Sequence, residues 1–221
     1  MNYQFIMLLV FSGECILLLL FCEYLNRRKN VSSEYTRKIA HFVSSLSVLL
    51  FPYFFKDEGY VLAICIIFFV VFFIANIKRL LLSIDGVGRR TGGSYLLALS
   101  VGICYHLSIV LENGMLFTLP ILILAICDPL AGITGKHFHT KHILNGKTFA
   151  GTLTFLFTSL CISLFYLSTI QYKSVFILSL MIALTTSITE LLSPRGTDNL
   201  TIPLVVAVLL ILADLTFFQV I

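Results

Sequence analysis

Between residues 128 and 151 the sequence reads DPLAGITGKHFHTKHILNGKTFAG, and long apolar runs flank it on both sides. An Asp-Pro step, four glycines, three lysines and three histidines fall within it. Gly132 and Gly135 keep one region free of side chains, which would let backbone N–H groups approach phosphate oxygens. Lys136, Lys141 and Lys147 are mobile cations suited to a polyphosphate. Asp128, an anion at the apolar boundary, is a poor phosphate ligand but a good hard-oxygen ligand for magnesium. Pro129 can begin a helix or break the one before it. Gly146, Lys147, Thr148 and Gly151 open the next apolar run, where a helix start would favour an anion. The stretch does not match GxxxxGK[ST], so the soluble phosphate-loop fold is not implied. His137, His139 and His142 lack the cysteines or carboxylates of a zinc site and fit interfacial placement or phosphate contact better. The plain alternative is a basic loop with glycines at its turns.

Three further groups of polar residues interrupt the apolar sequence. In EYTRKIAH (34–41) Arg37 and His41 share a helical face, and Glu34 can offset Lys38 one turn on. His41 then falls just inside the boundary of an apolar run, as a general base, a phosphate donor or a packing residue. In DGVGRRTGGSY (85–95) Arg89 and Arg90 can make forked contacts to phosphate, and Asp85 can bind metal or pair with arginine. In ELLSPRGTDNLTIP (190–203) Glu190 ends a helix on which it shares a face with Thr186, and Asp198 and Asn199 precede the final one. Glu190 and Asp198 could complete a magnesium site with Asp128 or position an attacking hydroxyl. Alternatively, Asp198 caps a helix and Glu190 pairs with Arg195.

These residues have to be positioned by apolar helices. The 221-residue chain is 58% hydrophobic and 12% charged, with a mean hydropathy of +1.00. Soluble domains carry roughly 25% charged residues, so the composition points to a polytopic membrane protein. Apolar runs at about 3–25, 39–55, 60–77, 94–111, 115–132, 149–168, 173–192 and 200–220 predict an all-α fold of about eight transmembrane helices. They form a single domain over 1–221, with no internal repeat or linker. The first run is not read as a cleaved signal, since no basic region precedes it. The six cysteines lack metal-site spacing and read as small packing or lipid-facing residues.

Of the 15 lysines and arginines, all but Lys56 and Lys173 fall in alternate connections between these runs. The positive-inside rule then puts those connections in the cytoplasm, the active site on that side, and both termini outside. The net charge of +4 fits orientation and a phosphate-bearing substrate rather than nucleic acid. Glu14 and His106 lie at membrane depth without an evident partner in the sequence, which keeps a transporter in view. Nothing constrains the oligomeric state.

The ordered set of motifs resembles the integral-membrane, CTP-dependent lipid-alcohol kinases (dolichol kinase, phytol kinase and yeast-type diacylglycerol kinase), which are related to phosphatidate cytidylyltransferase. The resemblance rests on Arg37-Lys38 with His41, Gly88-Arg89-Arg90 through Gly93, and Asp128-Pro129 with Ala131, Gly132, Gly135 and Lys136. It continues through Gly146-Lys147-Thr148, Gly151, Glu190, Gly196, Asp198-Asn199 and Pro203. Two departures are Ser44-Ser45, where relatives often carry glycine, and Phe149-Ala150 in place of an acidic residue. The resemblance implies that 128–151 binds CTP and a divalent ion, and that a lipid hydroxyl reaches it from the bilayer. CTP enters only through this resemblance. Kinase chemistry is the expected activity, CDP-lipid synthesis is its nearest rival, and the lipid acceptor stays open among polyprenol, phytol and diacylglycerol.

Overall fold

The computed structural model describes residues 2–81, 83, 91–138, 140–194 and 196–218, with side chains to 215. Among these, the regular elements are all helices. The elements are α1 (Tyr3–Lys29), α2 (Ser33–Val48), α3 (Phe51–Phe54), α4 (Glu58–Lys78), α5 (Gly93–Val110), α6 (Met115–His137), α7 (Phe149–Thr169), α8 (Val175–Leu192) and α9 (Asp198–Phe218). Continuous apolar sequence favours helices because each satisfies its backbone internally, which is what hydrocarbon surroundings demand. Seven of the described helices are long and apolar enough to cross a membrane.

The second expected span differs from the reading of 39–55 as one run. Helix α2 starts earlier, at Ser33, has 16 residues, and breaks at Leu49–Leu50 before the single turn of α3. At about 1.5 Å per residue it falls short of a 30 Å hydrocarbon layer on its own. The pair nevertheless carries the chain from the Lys29 end of α1 back to its start, where Lys56 and Asp57 donate their backbone N–H groups to Gln4 Oε1 at 2.8 and 2.9 Å.

Helix α6 is the axis of the bundle and the most buried of the seven. On one side Leu119, Ile123 and Leu124 pack with Phe155 of α7, Ile182 of α8 and Ile202 and Val206 of α9. On the other, Phe117 and Ile121 meet Val101 and Tyr105 of α5, Ile64 of α4 and Phe51 and Phe55 around α3. Helix α1 packs against α2 and α4 and is the least buried of the seven. Asp214 of α9 ties one end of the bundle, accepting from Asn113 Nδ2 at 2.7 Å and from the Tyr172 hydroxyl at 3.0 Å. The opposite end holds the basic connections and the polar residues considered next.

Candidate active site

Helix α6 runs straight through Asp128-Pro129 to His137. The stretch read as one loop is therefore the last turns of a central helix, a short connection, and the start of α7. Pro129 sits inside α6 and neither starts nor ends it; it only removes one donor from the ladder, which packed membrane helices tolerate. Gly132 and Gly135 are helical, so their N–H groups are spent within α6 rather than offered to phosphate. Their lack of a side chain serves close approach instead. A Cβ at Gly132 would collide with the end of Lys38, and one at Gly135 with Thr148 Oγ1. At Gly151 a Cβ would stand 2.9 Å from the Ala131 carbonyl, so α6 and α7 meet over this glycine.

Lys147 is delivered by a two-residue turn. Asn145 and Gly146 both have positive φ, 52° and 78°, and Lys147 N–H donates to the Leu144 carbonyl at 2.8 Å. This is the type I′ geometry that Asn-Gly favours. Pairing of His142 with Thr148 continues it as a miniature hairpin. The start of α7 is filled by the protein's own acceptors. Phe149 N–H bonds the Lys141 carbonyl at 3.1 Å, Ala150 N–H bonds Thr140 Oγ1 at 2.9 Å, and Gly151 N–H bonds Thr148 Oγ1 at 3.2 Å. The expected anion site at that helix start has no free donor left in its first turn.

The turn places the Lys147 ammonium 2.7 Å from Glu190 Oε1 and 2.9 Å from Asp198 Oδ2. Glu190 and Asp198 are buried, at 3% and 7% exposure. Glu190 thus pairs with Lys147; the expected partner Arg195 lies outside the described residues. Burial opposes the charge on Lys147, but Asp198, Asp128 and Glu190 outweigh it and hold its pKa above the ordinary lysine value. The half-buried Asp128 carboxylate is within electrostatic reach of His41, Lys147, Lys38 and Arg37. Lys38 also reaches the Pro129 carbonyl at 3.4 Å. Glu34 favours the Lys38 charge from a distance, as its spacing predicts, while its direct ion pair is with Lys136 at 2.5 Å, and the Lys136 ammonium lies 5.2 Å from the Tyr35 ring centre.

His41 is buried, with Nε2 3.3 Å from the Leu124 carbonyl. A carbonyl only accepts, so Nε2 carries the hydrogen and Nδ1 is left to take a proton. Asn199 is held by structure, donating from Nδ2 to the Gly93 carbonyl at 2.7 Å and joining α9 to the start of α5. At Gly196 φ is +86°, and a Cβ there would stand 2.8 Å from the Gly93 nitrogen, so only glycine suits that turn. Thr186, fully buried, shares the inward face with Glu190 as its spacing predicts.

Most of these groups, though not Thr186, line one cavity of about 760 Å³. Arg37, Lys38, His41, Asp128, Gly132, Gly135, Lys136, Gly146, Lys147, Thr148, Glu190, Asp198 and Asn199 meet there. Asp85, Gly88, Arg89, Arg90 and His139 lie outside the described residues. Beyond the polar end the same cavity continues between Phe11, Leu18 and Leu19 of α1, Phe68 and Phe72 of α4, and Leu97 of α5. Sequence reasoning expects a pocket lined by Phe and Leu but does not single out these residues, because a lipid-facing and a cavity-facing phenylalanine look alike in an unbroken apolar run.

Among the described residues, no three His, Cys, Asp or Glu side chains are grouped as a ready metal site. The donor chemistry nevertheless fits a hard cation. Glu190 and Asp198 contact one ammonium with Asp128 in electrostatic reach of it, and Glu190 Oε2 is buried without a hydrogen-bond partner among the described residues. Glu14 and His106 also acquire partners: Ser47 donates to Glu14, and His106 Nδ1 lies 3.2 Å from Glu58.

Phytol kinase of Synechocystis sp. is 30% identical to the chain over 188 residues, covering 82% of the chain and 80% of that relative. No protein-family model and no solved structure matches the chain.

Proposed function

The chain belongs to the phytol kinase family, and from that premise we propose that it transfers the γ-phosphoryl group of CTP to the hydroxyl of a membrane lipid alcohol. The observation that carries the proposal is the form of the cavity. Cations and carboxylates from α2, α6, α8, α9 and the Asn145-Gly146 turn meet at one end, and an apolar arm leads away from them. A phosphorylated headgroup and a hydrocarbon tail need these two environments at once.

In this reading Lys38, Lys136, Lys147 and Arg37 take up phosphate oxygens, a role in which charge compensation and alignment matter more than a strong base. Arg89 and Arg90 are assigned to the same work. Asp128, with Asp198 or Glu190, would hold magnesium, which supplies neutralisation of the charge that develops on the phosphates. The lipid oxygen attacks the γ-phosphorus, the bond to the β-bridging oxygen breaks, and CDP leaves. The hydroxyl proton passes to His41 Nδ1, oriented by its Nε2 bond to Leu124, or to a carboxylate. Thr148, Gly132, Gly135 and Gly146 shape the floor on which the phosphates lie, while Asn199 holds α9 in register with α5. We place this end in the cytoplasm and both termini outside, because the basic connections gather at the polar end and α2 with α3 bring the chain back across the bundle.

The test is turnover in proteoliposomes with CTP labelled at either the γ or the α phosphorus. The expected result is γ label on a lipid monophosphate. Alpha label retained on lipid would replace the proposal with CDP-lipid synthesis. Uptake of solute without nucleotide turnover would replace it with transport.

A further inference from the structure

Helices α1 and α4 both line the apolar arm, and the polar ties that hold them among the described residues include one pair near the start of each helix and another near their far ends. At one end the Asn2 amide lies 3.1 Å from the Tyr60 hydroxyl, and Phe11 packs on Phe55. At the other, Ser83 beyond α4 returns to the bundle, donating its N–H to Glu23 at 3.0 Å and accepting from the Thr36 hydroxyl at 2.6 Å. Between these ties Cys15, Leu18 and Leu19 face the cavity from α1, and Phe68 and Phe72 from α4. Their flanks, such as Leu17 and Val71, are exposed apolar surface suited to hydrocarbon. The adjacent α4–α5 seam is drawn close at Gly102, where a Cβ would lie 3.2 Å from Cys65 Cβ, although a shallower apolar cavity of about 390 Å³ lies along it.

Taking the acceptor to be the lipid alcohol proposed above, we infer that it enters sideways from the bilayer through a portal between α1 and α4, hydroxyl toward Asp128 and tail past Phe68. The occupant is a long-chain alcohol, because the arm is apolar and continuous with the polar end. Helix α1, held by few elements, is the wall that yields.

The test reads binding rather than turnover. Proteoliposomes containing a long-chain primary alcohol with a tail diazirine are irradiated, and labelled peptides are mapped by mass spectrometry. Labelling is expected on the cavity face of α5, around Leu97. In F68C, bridging the new thiol to native Cys15 with a short bismaleimide should abolish that labelling. In G102C, a disulfide to native Cys65 should leave it intact, since the Cβ separation is already close to the roughly 3.5–4.5 Å of a disulfide. The portal is overturned if α5 is unlabelled in the unbridged protein, if labelling survives the α1–α4 bridge, or if the α4–α5 bridge removes it. Cavity labelling that responds as expected without phosphoryl transfer would count against the kinase reading and leave the portal standing.

Discussion

The Lys147 ammonium lies 2.9 Å from the Asp198 carboxylate, across 51 positions of sequence. It links the connection after α6 to the first residue of α9, and Glu190 at the end of α8 joins the same ammonium. One lysine thereby couples the last two helices to the loop that aims it.

Removing that lysine should be costly to the fold as well as to activity. K147M leaves two buried carboxylates without their cation, a loss on the order of 3 kcal/mol. Thermal unfolding in detergent should show K147M well below wild type, and E190Q/D198N added to K147M should recover much of the difference. Unchanged unfolding of K147M would break the link between this cluster and stability.

The pH dependence follows from the sign of the Lys147 shift. Its folded pKa is raised, so the contribution is fully present below the unfolded value of about 10.4 and is lost as pH rises through the higher folded value. The stability gap between wild type and K147M should stay flat through neutral and mildly alkaline pH and close only at strongly alkaline pH. A gap that closes near neutrality would mean that the lysine is not held charged by its neighbours.

Asp128 lies where phosphate cations and the candidate proton acceptor converge. D128N keeps the shape and removes the charge. CTP-dependent phosphorylation should fall by about two orders of magnitude or more, as when a group that stabilises transition-state charge is lost, while the protein keeps its unfolding temperature. Full activity in D128N would remove Asp128 from the metal and the mechanism.

Gly132 should behave as a clearance residue for Lys38. G132A pushes the Lys38 ammonium from its position, so activity should drop to about the level of K38M. The double variant G132A/K38M should be no worse than K38M alone, the non-additivity expected of residues acting through one contact. Additive losses would show that Gly132 acts through its backbone instead.

Much of this arrangement is visible in the sequence. Composition gives the membrane class, and scarce polar residues at the edges of apolar runs give nearly all the groups that meet in the cavity. What the residues do locally was harder to read. Gly132, Gly135 and Pro129 look like loop chemistry, yet apolar packing on both sides of α6 holds them in a helix. Periodicity cannot distinguish a glycine that frees backbone from one that admits a neighbouring side chain. The Asn145-Gly146 step was a legible turn signal that the run of lysines and histidines obscured. The break after Val48 carries no such mark, because Pro52 falls after it, within the first residues of α3.

The Asn145-Gly146 hairpin also limits what evolution can alter there. Connections on a protein's exterior ordinarily accept insertions freely. Here, one added residue would slip the His142–Thr148 pairing and turn the lysine toward the opposite face. A solvent-exposed segment is thus as intolerant of length change as a core helix, and indels between α6 and α7 should be absent from working homologues, however much its outward-facing letters vary.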